Sequence, residues 1–275
     1  MAIKNYLGEQ FLGVLASYQP TGIVHHICVV YPRRNNQLHI FIPKGHSLGL
    51  NTLVTLHLDN RTGVDELDAE LRVYRTSYKG RVIDIDEGWV TVEPVEFILI
   101  HGTQVVEQFM AQGYAYPSDT RPLMALGSSP ICKLPAVEAN DYHNKVGVLT
   151  TLAQGQPHTT VLAFLSSEQD DVFLISMPGT FKSQVLKREP RCFFTIDERA
   201  KFTFEQSIEW NYSILEMHAY VVPPDADVFE QIRRAFILKN PWEAGFFMSK
   251  ELEMFHLERK ALVCSGERSP SASLA

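Results

Sequence analysis

A short basic stretch holds the residues best suited to bind a negatively charged group. Gly179 can turn the chain, and Thr180 and Lys182 follow it one residue apart. In a strand-like segment both side chains would emerge on the same side, which would place a hydroxyl and an ammonium on one phosphate. Three further cations lie close by: Lys187, Arg188 and Arg191. The alternative is that Lys182, Lys187 and Arg188 occupy the solvated face of a short helix. If the chain binds a phosphate at all, we expect it here.

Composition and charge argue against other partners. The 275 residues carry 25 Lys+Arg against 32 Asp+Glu, for a net charge of −7, so nothing favours a broad surface for a nucleic-acid backbone. The longest apolar runs, such as 95–100, are far shorter than the ~20 residues of a membrane span. The N-terminus lacks a basic stretch followed by an apolar one. We therefore expect a cytoplasmic protein whose partner is a small molecule, with no nucleic acid and no membrane.

Other catalytic and metal signatures are missing from the sequence. The four cysteines lie far apart and form no CxxC pair, which favours free thiols over a zinc site. His25 and His26 are adjacent, and neighbouring side chains on a strand point to opposite faces, so both cannot chelate one ion. There is no G-x-S-x-G, no P-loop and no G-x-G-x-x-G. We therefore predict no metal site, and the catalytic residues stay unknown.

The two halves of the sequence repeat one another. The stretch Gly-Val-Leu-Ala-Ser at 13–17 returns as Gly-Val-Leu-Thr-Thr at 147–151. At nearly the same spacing, His25 corresponds to His158 and Gly45 to Gly179. The apolar runs 38–42 and 54–58 correspond to 172–176 and 192–196. Such a near-constant spacing over several elements indicates that one unit has been duplicated.

Short β-branched runs separated by turn signals such as Gln154-Gly155 predict antiparallel strands joined by hairpins. The sequence therefore predicts a mainly β fold of two small barrels with a few short helices. The second half differs by an inserted helix at 227–239, where Val228, Ile232 and Phe236 repeat with helical period. This helix should stop before Asn240-Pro241, because proline cannot continue it.

The predicted domains are residues 1–102 and 138–265, joined by a connection at 103–137. A flexible tail is expected at 266–275, which holds three serines and no aromatic residue. Helical turns are expected around 105–110, at the start of the connection. Short helices are expected at 136–145 and 6–12, each leading into the first strand of its half.

The second half resembles the pyridoxamine 5′-phosphate oxidase-like FMN-binding split-barrel superfamily. The matching stretches are 147–151, Gln156-Pro157-His158, 173–176 and Gly179-Thr180-Phe181-Lys182. The run Leu-Lys-Arg-Glu-Pro-Arg-Cys-Phe at 186–193 is similar to the family segment T-x-K … L-x-x-x-P-R-V. Residues 6–102 are similar to a shorter, more divergent copy. The resemblance implies two tandem split β-barrels that form an intramolecular pseudo-dimer, and it leaves a homodimer open.

The resemblance also implies a cofactor and its binding residues. The phosphate of FMN would be bound by Thr180, Lys182 and Arg188, and the flavin ring would be lined by His158, Thr159 and Thr160. The chain would then be an FMN-dependent oxidoreductase whose substrate the sequence does not name, with the cofactor supplying the electron chemistry.

The first half lacks the phosphate-binding residues of the second, and two other functions stay open. In the first half, His46-Ser47-Leu48 replaces Thr180-Phe181-Lys182, and a leucine cannot hold a phosphate. One alternative function is a cofactor-free binding or regulatory module. The other is a haem-binding barrel, whose axial ligand would come from His143, His218 or His256.

Overall fold

The computed structural model describes residues 3–66, 68, 70–204 and 212–265, and the predicted tail at 266–275 lies outside them. The described chain is mainly β, as the sequence predicts. It divides into two compact units. The first comprises Met1–Asp119, Ala153–Thr160 and Glu198–Glu209, and the second comprises Thr120–Leu152, Val161–Asp197 and Trp210–Ala275. Among the described helices, none is both long enough and apolar enough to cross a membrane.

Seven antiparallel strands form the first sheet. They are β1 (Phe11–Gln19), β2 (Gly22–Pro32), β3 (Leu38–Phe41), β4 (Leu53–Asp59), β5 (Tyr74–Asp86), β6 (Trp89–His101) and β7 (Gln104–Met110), preceded by a short helix α1 (Lys4–Leu7). The strand order is β3-β2-β1-β4-β5-β6-β7, and β3 also pairs with β6. Because β3 is bonded to both β2 and β6, six strands close into a barrel and β7 extends β6.

Aliphatic and aromatic side chains fill the core of the first sheet. Leu15, Leu56, Tyr78, Val92 and Phe97 are fully buried in one cluster. Burying one such aliphatic or Phe side chain stabilises the fold by about 1.5–3 kcal/mol. This core holds the strands that position the polar groups described below.

The second sheet also has seven strands. They are β8 (Val146–Thr151), β9 (His158–Ala163), β10 (Leu165–Ser166), β11 (Val172–Ser176), β12 (Arg191–Asp197), β13 (Tyr212–Val222) and β14 (Glu253–Ser265). Their order is β10-β11-β14-β13-β12-β8-β9. Helix α2 (Phe181–Arg188) connects β11 to β12, and α3 (Asp227–Lys239) with a 3₁₀ segment (Pro241–Met248) connects β13 to β14.

Strand order and register confirm the repeat. The first sheet contains the order β2-β1-β4-β5-β6-β3, and the second contains β9-β8-β12-β13-β14-β11, which is the same order of corresponding strands. In the first sheet Val14 pairs with His57, and their counterparts Val148 and Thr195 pair in the second. The predicted fold class, mainly β with tandem barrels, is therefore confirmed.

Helix α3 has the predicted limits. It runs from Asp227 to Lys239 and ends at Asn240, immediately before Pro241. Val228, Ile232 and Phe236 are buried and pack in one cluster with strand residues of the second unit. The helical period predicted from the sequence therefore marks the packed side of this helix.

Three local expectations were wrong. Residues 105–110 form no helical turns but lie in β7, which pairs with β6 across a turn at Gly102. The edge of β6 supplies hydrogen bonds to this segment, and Phe109 stacks on Phe97 with ring centroids 5.8 Å apart, which local sequence does not reveal. The helix predicted at 136–145 is only a 3₁₀ turn at Ala139–Tyr142. The helix predicted at 6–12 ends at Leu7, because Phe11 already begins β1.

Candidate functional site

The basic segment begins a helix and is not strand-like. Thr180 occupies the N-cap position of α2, and Lys182 lies in the first turn. Val185 and Leu186 are buried on one side of this helix. Their packing favours a helix over the strand-like segment expected for Thr180 and Lys182. The short helix that the sequence left open as an alternative is observed, but Lys182, Lys187 and Arg188 are half-buried on it and do not form a solvated face.

The start of α2 offers backbone donors. The Thr180 side chain makes no capping hydrogen bond; its hydroxyl instead lies 2.9 Å from Ser176 Oγ. The first helical bond runs from Gln184 N–H to the carbonyl of Thr180. Because the first N–H groups of a helix have no intrahelical acceptor, this uncapped end is suited to bind an anion.

Lys182 is the cation at this helix end. Its side chain is half-buried, and burial lowers the pKa of its ammonium below the ordinary value of 10.5. Within the part of the chain that the structure describes, the Lys182 side chain makes no ion pair or hydrogen bond. A half-buried ammonium without a counter-charge is unfavourable, so this position favours an external anion.

The neighbouring cations already have partners. Lys187 forms an ion pair with Glu253, and Ser183 Oγ donates to the same carboxylate at 2.6 Å. Arg188 Nε donates to the carbonyl of Arg121 at 2.9 Å. A further ion pair joins Arg191 Nε to Glu216 Oε1 at 2.6 Å. Arg188 is thus bound by a neutral carbonyl, and Lys182 is the cation of this segment whose side chain makes neither an ion pair nor a hydrogen bond among the described residues.

The residues predicted to line a ring lie at the start of β9. Thr159 is buried, and its Oγ1 lies 3.0 Å from Ser77 Oγ. The His158 ring meets Tyr116 edge-on with centroids 6.3 Å apart. His158, Thr159 and Thr160 belong to the first unit, whereas Thr180, Lys182 and Arg188 belong to the second. The role of the three β9 residues stays a prediction.

In the first half, the segment corresponding to Thr180–Lys182 has different chemistry. Leu48 is buried in the first core. The Leu48 N–H donates to His46 Nδ1 at 3.3 Å, so the histidine binds its own loop. This segment offers no ammonium in place of Lys182.

His26 makes the stability of the fold depend on pH. Burial, together with His46, lowers the pKa of His26 from 6.5 to about 4. Between these values the unfolded chain binds more protons than the folded chain, so stability falls as the pH falls from about 6.5 to about 4. Thermal unfolding can be measured at about pH 7 and about pH 5. We expect the fall in Tm from the higher to the lower pH to be smaller for His26→Gln than for the unchanged chain.

The exposed His143 provides the control for this prediction. His143→Gln should keep the full pH dependence. Burial also lowers the pKa of His57, so some dependence should survive in His26→Gln. An undiminished difference in Tm in His26→Gln would show that His26 is solvated in the folded chain.

The residues considered for haem lie in unlike surroundings. His143 is exposed, and His218 contacts Tyr220 at a centroid distance of 4.9 Å. His256 is buried, with Nδ1 2.8 Å from Ser129 Oγ and Nε2 3.4 Å from Asp171 Oδ1. Both of its ring nitrogens therefore lie beside polar groups of the chain itself. Within the described residues, no group of three or more His, Cys, Asp or Glu side chains is placed to hold a metal ion.

Sequence reasoning missed a buried charged network in the first unit. Asp59 Oδ2 lies 2.8 Å from His57 Nε2, 2.7 Å from Arg61 Nη2 and 3.1 Å from Arg199 Nη1. Burial would raise the pKa of Asp59, but Arg199 and Arg61 outweigh it and hold this pKa well below its ordinary value. The alternation Leu-His-Leu-Asp at 56–59 is the signal that could have placed His57 and Asp59 on one side of β4. Because these side chains are closed to solvent, we assign the network to stability.

No family model matches the sequence, and no curated protein matches it. Solved structures similar to this chain include HutZ, the haem storage protein of Vibrio cholerae, at 17% identity and a TM-score of 0.40, over 46% of this chain and 92% of HutZ. A FAD-binding protein of Mesorhizobium loti matches at 19% identity and a TM-score of 0.35, over 43% of this chain and 82% of its own length. A candidate pyridoxamine 5′-phosphate oxidase of Listeria innocua matches at 16% identity and a TM-score of 0.31, over 43% of this chain and 86% of its own length. At these identities and TM-scores, the matches say nothing about ligand or activity.

Proposed function

We propose that this chain binds FMN and holds the phosphate of the cofactor at the start of α2. The observation that carries the proposal is the half-buried ammonium of Lys182, beside an uncapped helix end and without a counter-charge among the described residues. A phosphate would supply that counter-charge and accept hydrogen bonds from the backbone N–H groups at the start of the helix.

The residues around this point fit a phosphate. Gly179 has a φ of 75°, and a Cβ added there would meet nothing within 4 Å, so the loop leaves space beside the helix end. Among the residues with described positions, the Thr180 hydroxyl bonds to another hydroxyl, that of Ser176, and it can be shared with a phosphate oxygen. Arg188 stays a predicted ligand whose Nε already binds a carbonyl.

When bound, FMN supplies hydride and electron transfer. The chain's part in the proposal is to bind the phosphate and orient the ring, and His158, Thr159 and Thr160 are the residues proposed to line that ring. On this basis we propose a cytoplasmic oxidoreductase that acts on a small molecule. Pairing of the two barrels as a pseudo-dimer stays a prediction, as does a homodimer, and native mass spectrometry would report subunit count and bound ligand together.

The test compares FMN with riboflavin, which has the same ring but no phosphate. We expect Lys182→Gln to weaken FMN binding by about tenfold to a hundredfold, because a hydrogen bond to a charged group contributes about 1.5–3 kcal/mol. Riboflavin binding should not change. Both affinities can be measured by quenching of flavin fluorescence during titration.

Lys250→Gln is the matched control, since Lys250 is an exposed lysine of the same unit. It should leave both affinities unchanged. A purified protein that is colourless and takes up no added FMN would refute the proposal and favour the cofactor-free module. Equal weakening of FMN and riboflavin by Lys182→Gln would show that Lys182 does not bind the phosphate.

A further inference from the structure

The first unit contains an open cavity of about 640 Å³ that the proposed phosphate site does not use. All of its lining residues lie between Asn35 and Pro117, on β4, β5, β6 and β7 and the segments beside them. Its volume falls within the range of small-molecule sites. No motif or spacing in the sequence predicted this cavity.

A pair of opposite charges stands in the cavity wall. Arg81 and Glu93 are directly paired across β5 and β6, and Arg81 Nε lies 3.9 Å from Glu93 Oε1, too far for a hydrogen bond. Both side chains are half-exposed, at 40% and 43%. Neither makes a side-chain hydrogen bond within the described residues. Such a pair contributes little to stability and keeps its donors and acceptors available.

Apolar side chains form another part of the wall. Leu53, Val95 and Phe109 line the cavity, and Phe109 is 38% exposed although its ring stacks on Phe97. An aromatic ring fixed on one side and open on the other can bind a second planar ring.

The segment that closes one side of the cavity is held in place. Ala111 N–H donates to the carbonyl of Val95 at 2.8 Å. The Tyr114 hydroxyl donates to Gln156 Oε1 at 2.8 Å, and the Gln156 side chain donates to the carbonyl of Val54 at 3.2 Å. The cavity is therefore largely formed before any ligand arrives, which lowers the ordering cost of binding.

We infer that this cavity binds a free α-amino acid with an aromatic side chain. The ligand carboxylate binds the Arg81 guanidinium, its ammonium binds the Glu93 carboxylate, and its ring packs against Val95 and Phe109. An α-amino acid carries its two charges on groups attached to one carbon, and this short separation suits a pair of opposite charges 3.9 Å apart. A ligand with one charge would leave half of the pair unmatched. The inference is independent of the proposed FMN site.

The test is isothermal titration of the full chain with L-tryptophan and two analogues. Tryptamine lacks the carboxylate, and indole-3-propionate lacks the ammonium. We expect L-tryptophan to bind with a Kd of roughly 10 μM to 1 mM, and each analogue to bind at least about tenfold more weakly, because each lacks one charge-assisted contact.

Two variants assign each charge to its partner. Arg81→Gln should bind L-tryptophan and tryptamine equally, whereas Glu93→Gln should bind L-tryptophan and indole-3-propionate equally. Asp86→Asn is the control, because Asp86 is exposed on β5 outside the cavity lining, and it should retain the selectivity of the unchanged chain. Thermal unfolding of each variant establishes that it is folded.

Two results would overturn the inference. One is an absence of binding heat with L-tryptophan up to its solubility limit. The other is binding of L-tryptophan and both analogues with equal affinity, which would mean that the ring alone is recognised. Neither result bears on FMN, whose binding is tested through Lys182.

Discussion

Replacing Asp59 by alanine is expected to lower the free energy of unfolding by about 3–5 kcal/mol, because it leaves buried charges without their partner. Asp59 is the carboxylate shared by Arg61, Arg199 and His57. The side chains of Asp59 and Arg199 are 0% exposed, so water cannot replace the lost partner. Arg61 keeps its ion pair with Glu66, and Arg199 loses the ion pair between its Nη1 and Asp59 Oδ2.

Chemical unfolding followed by circular dichroism would measure this effect. Asp84→Ala is the control, because Asp84 is exposed on β5 and its removal should change stability by no more than about 0.5 kcal/mol. A double-mutant cycle with Arg199→Met tests the mechanism. Arg199→Met should cost much less in the Asp59→Ala background than in the unchanged chain. Equal costs in both backgrounds would mean that the two residues stabilise the fold independently.

The parts of the fold that the sequence predicted are those encoded in local pattern. The repeat is visible because corresponding strands keep their spacing, and α3 is visible because Val228, Ile232 and Phe236 recur with helical period. The end of α3 was predictable because Pro241 cannot donate a backbone hydrogen bond. Each of these signals lies within a few residues of the structure it predicts.

The misassigned elements depend on neighbours distant in sequence or on packing that the spacing did not show. Residues 105–110 are a strand because β6 offers its edge, and the sequence of the segment alone does not settle the choice between strand and helix. The segment after Gly179 is a helix because Val185 and Leu186 are buried on one side. The prediction of a strand-like segment rested on the spacing of only two residues, Thr180 and Lys182, and that spacing contains no information about the packing of Val185 and Leu186.

The sequence predicted where the basic stretch lies, but it did not predict which of its cations are paired with carboxylates. The sequence places five cationic or hydroxyl side chains close together in one stretch, namely Thr180, Lys182, Lys187, Arg188 and Arg191. The structure separates them, because Glu253 lies beside Lys187 and Glu216 lies beside Arg191. Both carboxylates come from strands far along the chain, so only the fold reveals that the Lys182 side chain is the cation of the segment without a polar partner among the described residues.

The glycines that begin the repeat, Gly13 and Gly147, are expected to tolerate alanine to different degrees. A Cβ at Gly147 would lie 2.5 Å from Phe194 Cε1 and 2.9 Å from the carbonyl oxygen of Thr195. A Cβ at Gly13 would lie 3.0 Å from Leu58 Cδ2 and 3.4 Å from the carbonyl oxygen of His57. His57 and Thr195 are corresponding residues, so both copies require a small residue facing the same carbonyl, and the second copy requires it more strictly.

We therefore expect Gly147→Ala to lower the free energy of unfolding by about 2–3 kcal/mol or more, and Gly13→Ala by about 1 kcal/mol, from overpacking. Gly49→Ala and Gly245→Ala are the controls for the two units, since an added Cβ there meets nothing closer than 3.7 Å. Any glycine-to-alanine change also reduces the entropy of the unfolded chain, so the difference between each repeat glycine and its control isolates the clash. Equal costs at Gly13 and Gly147 would mean that β8 moves away from β12 to relieve the contact, and that the tighter approach in the second sheet is not a constraint of the fold.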